Sequence, residues 1–159
     1  MIKEGDKMPD VRVKHMDHKG PVDVSLPDLC KGKKVVIFGV PGAYTPTCSL
    51  KHLPGYVEHA EEMFSKNVDV IACISVNDVF VMDSWGKDTE VKNKVMMLSD
   101  GNAEFAERTG LEMDGNAFGM GKRLQRFALI AEDGVITLLH IEKPGAFEVS
   151  SAEAVLAKL

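Results

Sequence analysis

Two apolar, β-branched runs, Lys33–Val40 and Val68–Val76, constrain this chain more than any other feature. Each is short enough for a single strand and apolar enough to be buried on both faces. Between them residues 48–66 carry a helical pattern, and Pro54 should kink or interrupt that helix near its own position. Strand, helix and strand at this spacing predict a right-handed parallel βαβ unit. The turn leaving the first strand reads Pro41-Gly42-Ala43-Tyr44-Thr45-Pro46-Thr47-Cys48-Ser49, so a cysteine stands where a strand ends and a helix begins. Unpaired N–H groups at a helix N-terminus favour negative charge. Such a setting is one of the few that turns a thiol into a nucleophilic thiolate near neutral pH.

The rest of the chain extends this unit. Residues 1–32 read as an irregular or hairpin-rich lead-in punctuated by Gly5, Pro9, Gly20, Pro21 and Pro27, with Cys30 in its loop. Asn77-Asp78 can cap a helix through Val79, Phe80, Met82 and Trp85. Val95–Leu98 is a third short strand, and Asp100 can cap a helix over 101–109 that Gly110 ends. Residues 112–122 read as a loop. Arg126–Ala131 and Val135–Ile141 flank Asp133-Gly134, a strong hairpin signal. Ser150-Ser151-Ala152-Glu153 resembles a capping box before a final helix. The expected architecture is α/β, a mixed central sheet flanked by helices. A parallel βαβ half followed by a hairpin and a helix is the layout of a thioredoxin fold, as one domain over residues 1–159.

Composition narrows the function. The net charge is −5 with no dense basic patch, which argues against a nucleic-acid partner. No apolar run approaches the ~20 residues needed to span a bilayer. The first residues hold neither a signal core nor an Arg-rich amphipathic stretch, so the expected compartment is the cytosol, or an organelle after removal of a transit peptide. Cys30, Cys48 and Cys73 are too few, and odd in number, for a disulfide framework. There is no CxxC or CxxH pair, so neither a structural zinc site nor a dithiol oxidoreductase is supported, and no metal or cofactor is expected.

The cysteine segment resembles the peroxiredoxin active-site pattern Pro-x-x-x-Thr-x-x-Cys, met by Pro41, Thr45 and Cys48. With His52-Leu53-Pro54-Gly55 following, it is similar to the atypical peroxiredoxin 5 or plant type II subfamily. In-order matches continue through VNDVFVMDSWGK at 76–87, LSDGNAEF at 98–105, RFALIAEDG at 126–134 and SSAEAVLAKL at 150–159. The resemblance implies a thioredoxin fold with a peroxiredoxin-type N-terminal extension. It also implies a homodimer built on the face carrying the Cys48 turn and the 78–87 helix. Its activity would be reduction of hydrogen peroxide and alkyl hydroperoxides, in antioxidant defence and redox homeostasis. The arginine that opens RFALI, Arg126, would be the active-site guanidinium, with Arg123 its neighbouring rival.

The residue types suit that chemistry. Thiolate sulfur attacks one peroxide oxygen, the O–O bond breaks, and the departing oxygen develops negative charge. A free thiol is only about 3% thiolate at pH 7, and a lowered pKa also lowers intrinsic nucleophilicity. Positioning and charge stabilisation must therefore supply much of the acceleration. Thr45, three residues before Cys48, offers a hydroxyl to sulfur or peroxide, and Pro41 stiffens the loop and shields the sulfur from water. Arg126 offers a permanent charge. His52 is a candidate for tuning the Cys48 thiol, or a plain polar helix residue. Trp85 and Phe118 are expected at the core or a dimer face.

The product on Cys48 is a sulfenic acid, which a second thiol must reduce. Some type II relatives are proposed to use the cysteine equivalent to Cys73. Another branch uses a C-terminal cysteine, absent here from Phe147-Glu148-Val149-Ser150-Ser151. Cys73 lies three residues inside its strand, ~10 Å below the edge at ~3.3 Å per residue. A disulfide needs Cα atoms within about 4.4–6.8 Å, so direct resolution would require the active-site helix to unwind. External reduction by glutathione and glutaredoxin needs no such rearrangement and is the favoured route. The alternatives are an intramolecular Cys48–Cys73 disulfide reduced by thioredoxin, and a stoichiometric peroxide sensor. Cys30 is a bystander thiol.

Overall fold

The two apolar runs form β3 (Lys34–Gly39) and β4 (Val70–Ser75), which pair in parallel with Phe38 opposite Cys73. This computed structural model describes residues 1–159. β5 (Met96–Ser99) adds in parallel beside β4, placing Met97 opposite Cys73. Beyond β5 lies a hairpin of β1 (Arg12–Asp17) and β2 (Gly20–Ser25), β1 running antiparallel to β5. On the other side β8 (Phe127–Glu132) pairs antiparallel with β3, and β9 (Val135–Ile141) with β8. The order is β2-β1-β5-β4-β3-β8-β9. The turn between β8 and β9 is the Asp133-Gly134 pair, both at positive φ as a tight hairpin demands.

Alternation along the strands divides the core into two layers. Val36, Phe38 and Cys73 face one side, with Ala128 and Ile130 of β8. They are covered by α2 (Leu53–Ser65), α3 (Val79–Asp88) and α5 (Ala152–Leu156) through Tyr56, Met63, Met82, Trp85 and Val155. Val35, Ile37, Ala72 and Ile74 face the other, under α1 (Leu26–Cys30) and α4 (Glu104–Thr109). Cys48 belongs to the first layer, so every residue that meets it must come from that side of the sheet.

Several local expectations are corrected. Residues 48–66 are not one α-helix: Cys48–His52 is a π-helical turn, in which the Leu53 N–H reaches the Cys48 carbonyl, and α2 follows with Pro54 in its first turn. Pro54 has no N–H for the Leu50 carbonyl and its ring would crowd that oxygen, so widening the turn relieves both. The expected loop at 112–122 contains a small antiparallel ladder, β6 (Glu112–Asp114) with β7 (Lys122–Leu124), around a short 3₁₀ turn. The lead-in forms a hairpin, one of its two expected readings, from β1 and β2, and adds α1, at whose end Cys30 is buried rather than lying in a loop. α4 begins at Glu104, with the Asp100 carboxylate accepting from the Phe105 and Ala106 N–H groups at 2.9 and 3.0 Å. Trp85 is buried in the core, whereas Phe118 is exposed.

The join between β3 and the cysteine turn tolerates little change. Gly39 sits opposite Phe127, and a methyl group at Gly39 would overlap the Phe127 ring. That ring is fully buried and stacks near Phe105, so it has nowhere to swing. Gly39→Ala should therefore lower the unfolding free energy by about 1–3 kcal/mol through overpacking, read by urea unfolding of the reduced protein.

Candidate active site

The turn after β3 is shaped before any chemistry is considered. Tyr44 adopts a positive φ of 65°, a conformation that a non-glycine residue holds only when its surroundings enforce it. They do so through its hydroxyl, 2.7 Å from Ser84 Oγ and 2.9 Å from Asp88 Oδ2 on α3. The Ala43 N–H donates to Asn77 Oδ1 at 3.0 Å, and Asn77 is held by the Ser75 and Ser99 hydroxyls at 2.6 Å each. The Thr45 carbonyl accepts from the Ser49 N–H at 2.9 Å and starts the helical turn, with Pro46 suited to its first position. Trp85 Nε1–H donates to Ser49 Oγ at 3.1 Å. Cys48 is thereby fixed in the first turn with its side chain buried.

Register delivers the cation. Arg126 precedes β8 and continues its ladder, since the Glu142 N–H donates to the Arg126 carbonyl at 2.9 Å. Alternation puts Arg126 on the side of Ala128 and Ile130, which is the side of Cys48. Its Nη2–H donates to Cys48 Sγ at 3.1 Å. Its Nη1–H donates to His52 Nδ1 at 2.8 Å, and the guanidinium lies 5.9 Å from the centre of the Phe147 ring. Arg123 goes elsewhere, to the Met120 carbonyl at 2.8 Å and the Pro41 carbonyl at 3.5 Å.

His52 is fully buried, and burial, followed by the Arg126 charge, pushes its pKa down to about 3. The ring is therefore neutral. An arginine can only donate, so Nδ1 must be the acceptor and Nε2 must carry the proton. That proton goes to the Ser150 carbonyl at 3.0 Å, which also accepts from the Tyr56 hydroxyl at 2.8 Å. Phe38 lies 4.8 Å from the imidazole centre at a tilt and Phe147 meets it edge-on at 5.0 Å, while Phe38 also stacks on Tyr56 at 3.9 Å.

The residues singled out from the sequence are distributed as follows. Cys48, Arg126 and His52 form one connected cluster. The Thr45 hydroxyl donates to the Gly42 carbonyl at 2.8 Å, which leaves its lone pairs free to accept. Pro41, Thr47 and Arg126 line a cleft of about 410 Å3 that also reaches Gln125, Glu142 and Lys143. Cys73 is buried in β4 in the same core layer as Cys48, and burial pushes its thiol well above its usual range, with the Cys48 side chain adding to the shift. Both are free thiols. Burial likewise raises the Cys30 thiol to about 11. Asn77, Tyr56, Phe147, Ser150 and Glu142 carry the support of the site and were not singled out from the sequence. Asn77 was read as a helix cap, a role that Asp78 fills by accepting from the Val81 N–H at 2.8 Å. Tyr56 follows His52 by one helical turn, a spacing that could have tied it to the site, whereas Glu142, Phe147 and Ser150 stand far along the chain with no local spacing to Cys48.

A cysteine in the turn between a parallel strand and the following helix, faced by a half-buried cation, defines a thiol-based redox protein of the thioredoxin fold. Residues 3–156 match the Redoxin family. Peroxiredoxin-2E, chloroplastic, of Arabidopsis thaliana is 50% identical over 162 residues, covering 99% of this chain and 69% of the relative. Peroxiredoxin-2B of the same plant is 46% identical over 159 residues, covering 99% and 98%. The crystal structure of reduced Prx3 in complex with H2O2 from Vibrio vulnificus superposes with a TM-score of 0.96 at 47% identity, covering 99% of each chain. The chain belongs to the redoxin family and, within it, to the peroxiredoxins of the plant type II group, thiol peroxidases of antioxidant defence.

Removing the guanidinium from a sulfur that it touches should cost what loss of one preorganised charge-stabilising donor costs elsewhere. Arg126→Ala is expected to slow peroxide reaction by about 10²–10³-fold, measured by stopped-flow fluorescence of Trp85. A rate within twofold of wild type would remove Arg126 from the reaction.

Proposed function

We propose that Cys48 is the peroxide-reactive thiol and that Arg126, Thr45 and Pro41 shape its reaction. The observation that carries this reading is the 3.1 Å contact between Arg126 Nη2 and Cys48 Sγ at the mouth of the strand–helix turn. Sulfur attacks the nearer oxygen of hydrogen peroxide or an alkyl hydroperoxide. The S–O bond forms as the O–O bond breaks, and the electron pair leaves on the distal oxygen, which takes a proton to become water or an alcohol. Arg126 stabilises the charge along this path, the free lone pairs of Thr45 accept the peroxide hydrogen, and Pro41 keeps water from the sulfur. His52 acts on Cys48 through Arg126, since a neutral imidazole contributes no charge of its own.

The sulfenic acid is then reduced from outside the chain. Glutathione attacks Cys48, releasing water and leaving a mixed disulfide, and glutaredoxin with further thiol returns Cys48 to its reduced form. The state of Cys73 supports this route: a thiol held protonated by burial is a poor attacking group, and it sits in a central strand opposite Phe38 and Met97. Cys48→Ser should lose all turnover. Cys73→Ser should keep it, within about twofold, when supplied with glutathione and glutaredoxin. Loss of turnover in Cys73→Ser with every reductant would instead make Cys73 the resolving thiol with thioredoxin as reductant. Stoichiometric oxidation of wild type without turnover would make the protein a sensor.

The same reading includes a homodimer and a cytosolic site of action. Leu50 in the π turn, Phe80 on α3 and Tyr44 in the Cys48 turn are 76%, 65% and 47% exposed, large apolar side chains on the elements that carry Cys48 and α3. No helix is long and apolar enough to cross a membrane. Phe80→Glu should shift the protein to monomer in sedimentation velocity at micromolar concentration, whereas a wild type already monomeric there would end the dimer reading.

A further inference from the structure

The guanidinium at the sulfur is oriented by His52, and His52 is oriented by a carbonyl on a segment that has no ladder of its own. Ser150 precedes α5 and lies outside every strand, yet it is fully buried and its carbonyl accepts from both His52 and Tyr56. What holds it is Glu142. One carboxylate oxygen, Oε2, accepts from the Glu148 N–H at 2.7 Å, the Ser150 N–H at 2.9 Å and the Ser150 hydroxyl at 2.6 Å. Burial alone would raise the Glu142 carboxyl, but the Ser150 hydroxyl and the N–H groups of Ser150, Glu148 and Val149 outweigh it and hold it below its ordinary value. Glu142 is thus a carboxylate with 6% of its surface exposed, and no lysine or arginine forms an ion pair with it. Its charge is satisfied by the 148–150 backbone.

We propose that Glu142 is a positioning residue for the peroxidase reaction: it clamps Ser150, which sets the His52 tautomer, which aims Arg126 at Cys48. The logic runs on hydrogen-bond polarity. If the Ser150 carbonyl moves away, the His52 proton loses its acceptor at Nε2 and the ring is free to carry it on Nδ1. An Nδ1–H meets the Arg126 guanidinium donor to donor, and the guanidinium must turn from its present line. The same loop carries Phe147, so releasing it also opens one wall around the guanidinium. Glu142 stands next to Arg126 across the ladder that continues β8 and β9, so one register sets both the cation and its clamp. This inference rests on reading Cys48 as the peroxide-reactive thiol, but its geometric part stands apart from that reading.

The test uses the full chain labelled with ¹⁵N and pairs a spectrum with a rate. Long-range ¹H–¹⁵N correlation of His52 in wild type should show the proton on Nε2. In Glu142→Gln the amide is a weaker acceptor for the clamped donors, and the His52 signals should move to a mixture of tautomers. The rate of peroxide reaction should fall about tenfold, the worth of roughly one charge-assisted hydrogen bond. Because the effect passes through Arg126, Glu142→Gln should cost less than twofold in an Arg126→Ala background. A merely structural role would lower the melting temperature but leave the tautomer unchanged and make the two losses multiply. The proposal is overturned if wild-type His52 carries its proton on Nδ1, if Glu142→Gln changes neither tautomer nor rate, or if the two losses multiply. Should Glu142→Gln fail to fold, Ser150→Ala, which removes only the hydroxyl contact to Glu142, should shift the same His52 signals, and an unshifted tautomer there overturns the clamp. Should wild type fail to turn over peroxide, the peroxidase reading falls while the tautomer shift still tests the clamp.

Discussion

One guanidinium forks between a sulfur and an imidazole, and much of the molecule is arranged so that it can. Arg126 donates to Cys48 Sγ and to His52 Nδ1 from a position just outside β8. It gets there by register: Phe127 pairs with Gly39 across β3, and a glycine is needed because the Phe127 ring fills the space a side chain would take. The sulfur arrives from the other direction, in a turn pinned by Tyr44 to α3 and by Ala43 to Asn77. Neither partner is brought by the segment that carries the other. The thioredoxin-type sheet pairs β3 antiparallel with β8, so the end of β3 that leads to Cys48 and the start of β8 that follows Arg126 lie side by side, and both groups meet on one face.

Holding charge at low exposure sets the remaining demands. An unpaired polar group buried beside Arg126 would cost on the order of 1–3 kcal/mol, and no buried side-chain nitrogen or oxygen in the chain lacks a partner. The satisfaction runs outward in one direction, from guanidinium to imidazole, to the Ser150 carbonyl, and through Ser150 to Glu142. His52 is the hinge of that sequence because burial keeps it neutral, which gives it one acceptor and one donor at opposite corners of the ring. A protonated imidazole would offer two donors and repel the guanidinium. The low pKa of His52 is therefore part of how the arginine is aimed.

The sequence carried the scaffold and the reacting groups unevenly. β3 and β4 were legible because a strand buried on both faces must be apolar throughout, and the Asp133-Gly134 hairpin because a tight turn needs residues that accept positive φ. Cys48 was legible because strand end, proline, threonine and cysteine sit within one short run. Arg126 was singled out over Arg123 by likeness to a family, and the physical reason for the choice is alternation: 126, 128 and 130 share a face with Cys48. The π-helical turn at Cys48–His52 was hidden because Pro54 announces a break without saying which way the backbone will relieve it. Glu142, Ser150 and Asn77 were hidden for a different reason. Each acts through a hydrogen bond in which one partner is a backbone atom, the Ala43 N–H for Asn77, the Ser150 N–H for Glu142 and the Ser150 carbonyl for His52, and a backbone partner leaves no mark on the sequence at its own position.

The two halves of the proposed cycle ask opposite things of the same turn. Peroxide is small and needs a sulfur that is dry and held in line, which the fully buried Cys48 provides. A reducing thiol is large and needs a sulfur that it can reach from behind the S–O bond. The central strands cannot supply the movement, since β3 and β4 are buried on both faces and laddered on both edges. The turn can. From Ala43 to Pro54 the chain is held mainly by side-chain contacts, Tyr44 to Ser84 and Asp88 and Ser49 to Trp85, and it carries a positive φ at Tyr44 and a π turn at Cys48. Segments held this way open at lower free energy than sheet strands. Whichever thiol completes the cycle, Cys48 must come out to meet it, because Cys73 is fixed in β4 opposite Phe38 and Met97. On the proposed cycle the turn would open in the reductive half, after the buried geometry has served the oxidative one.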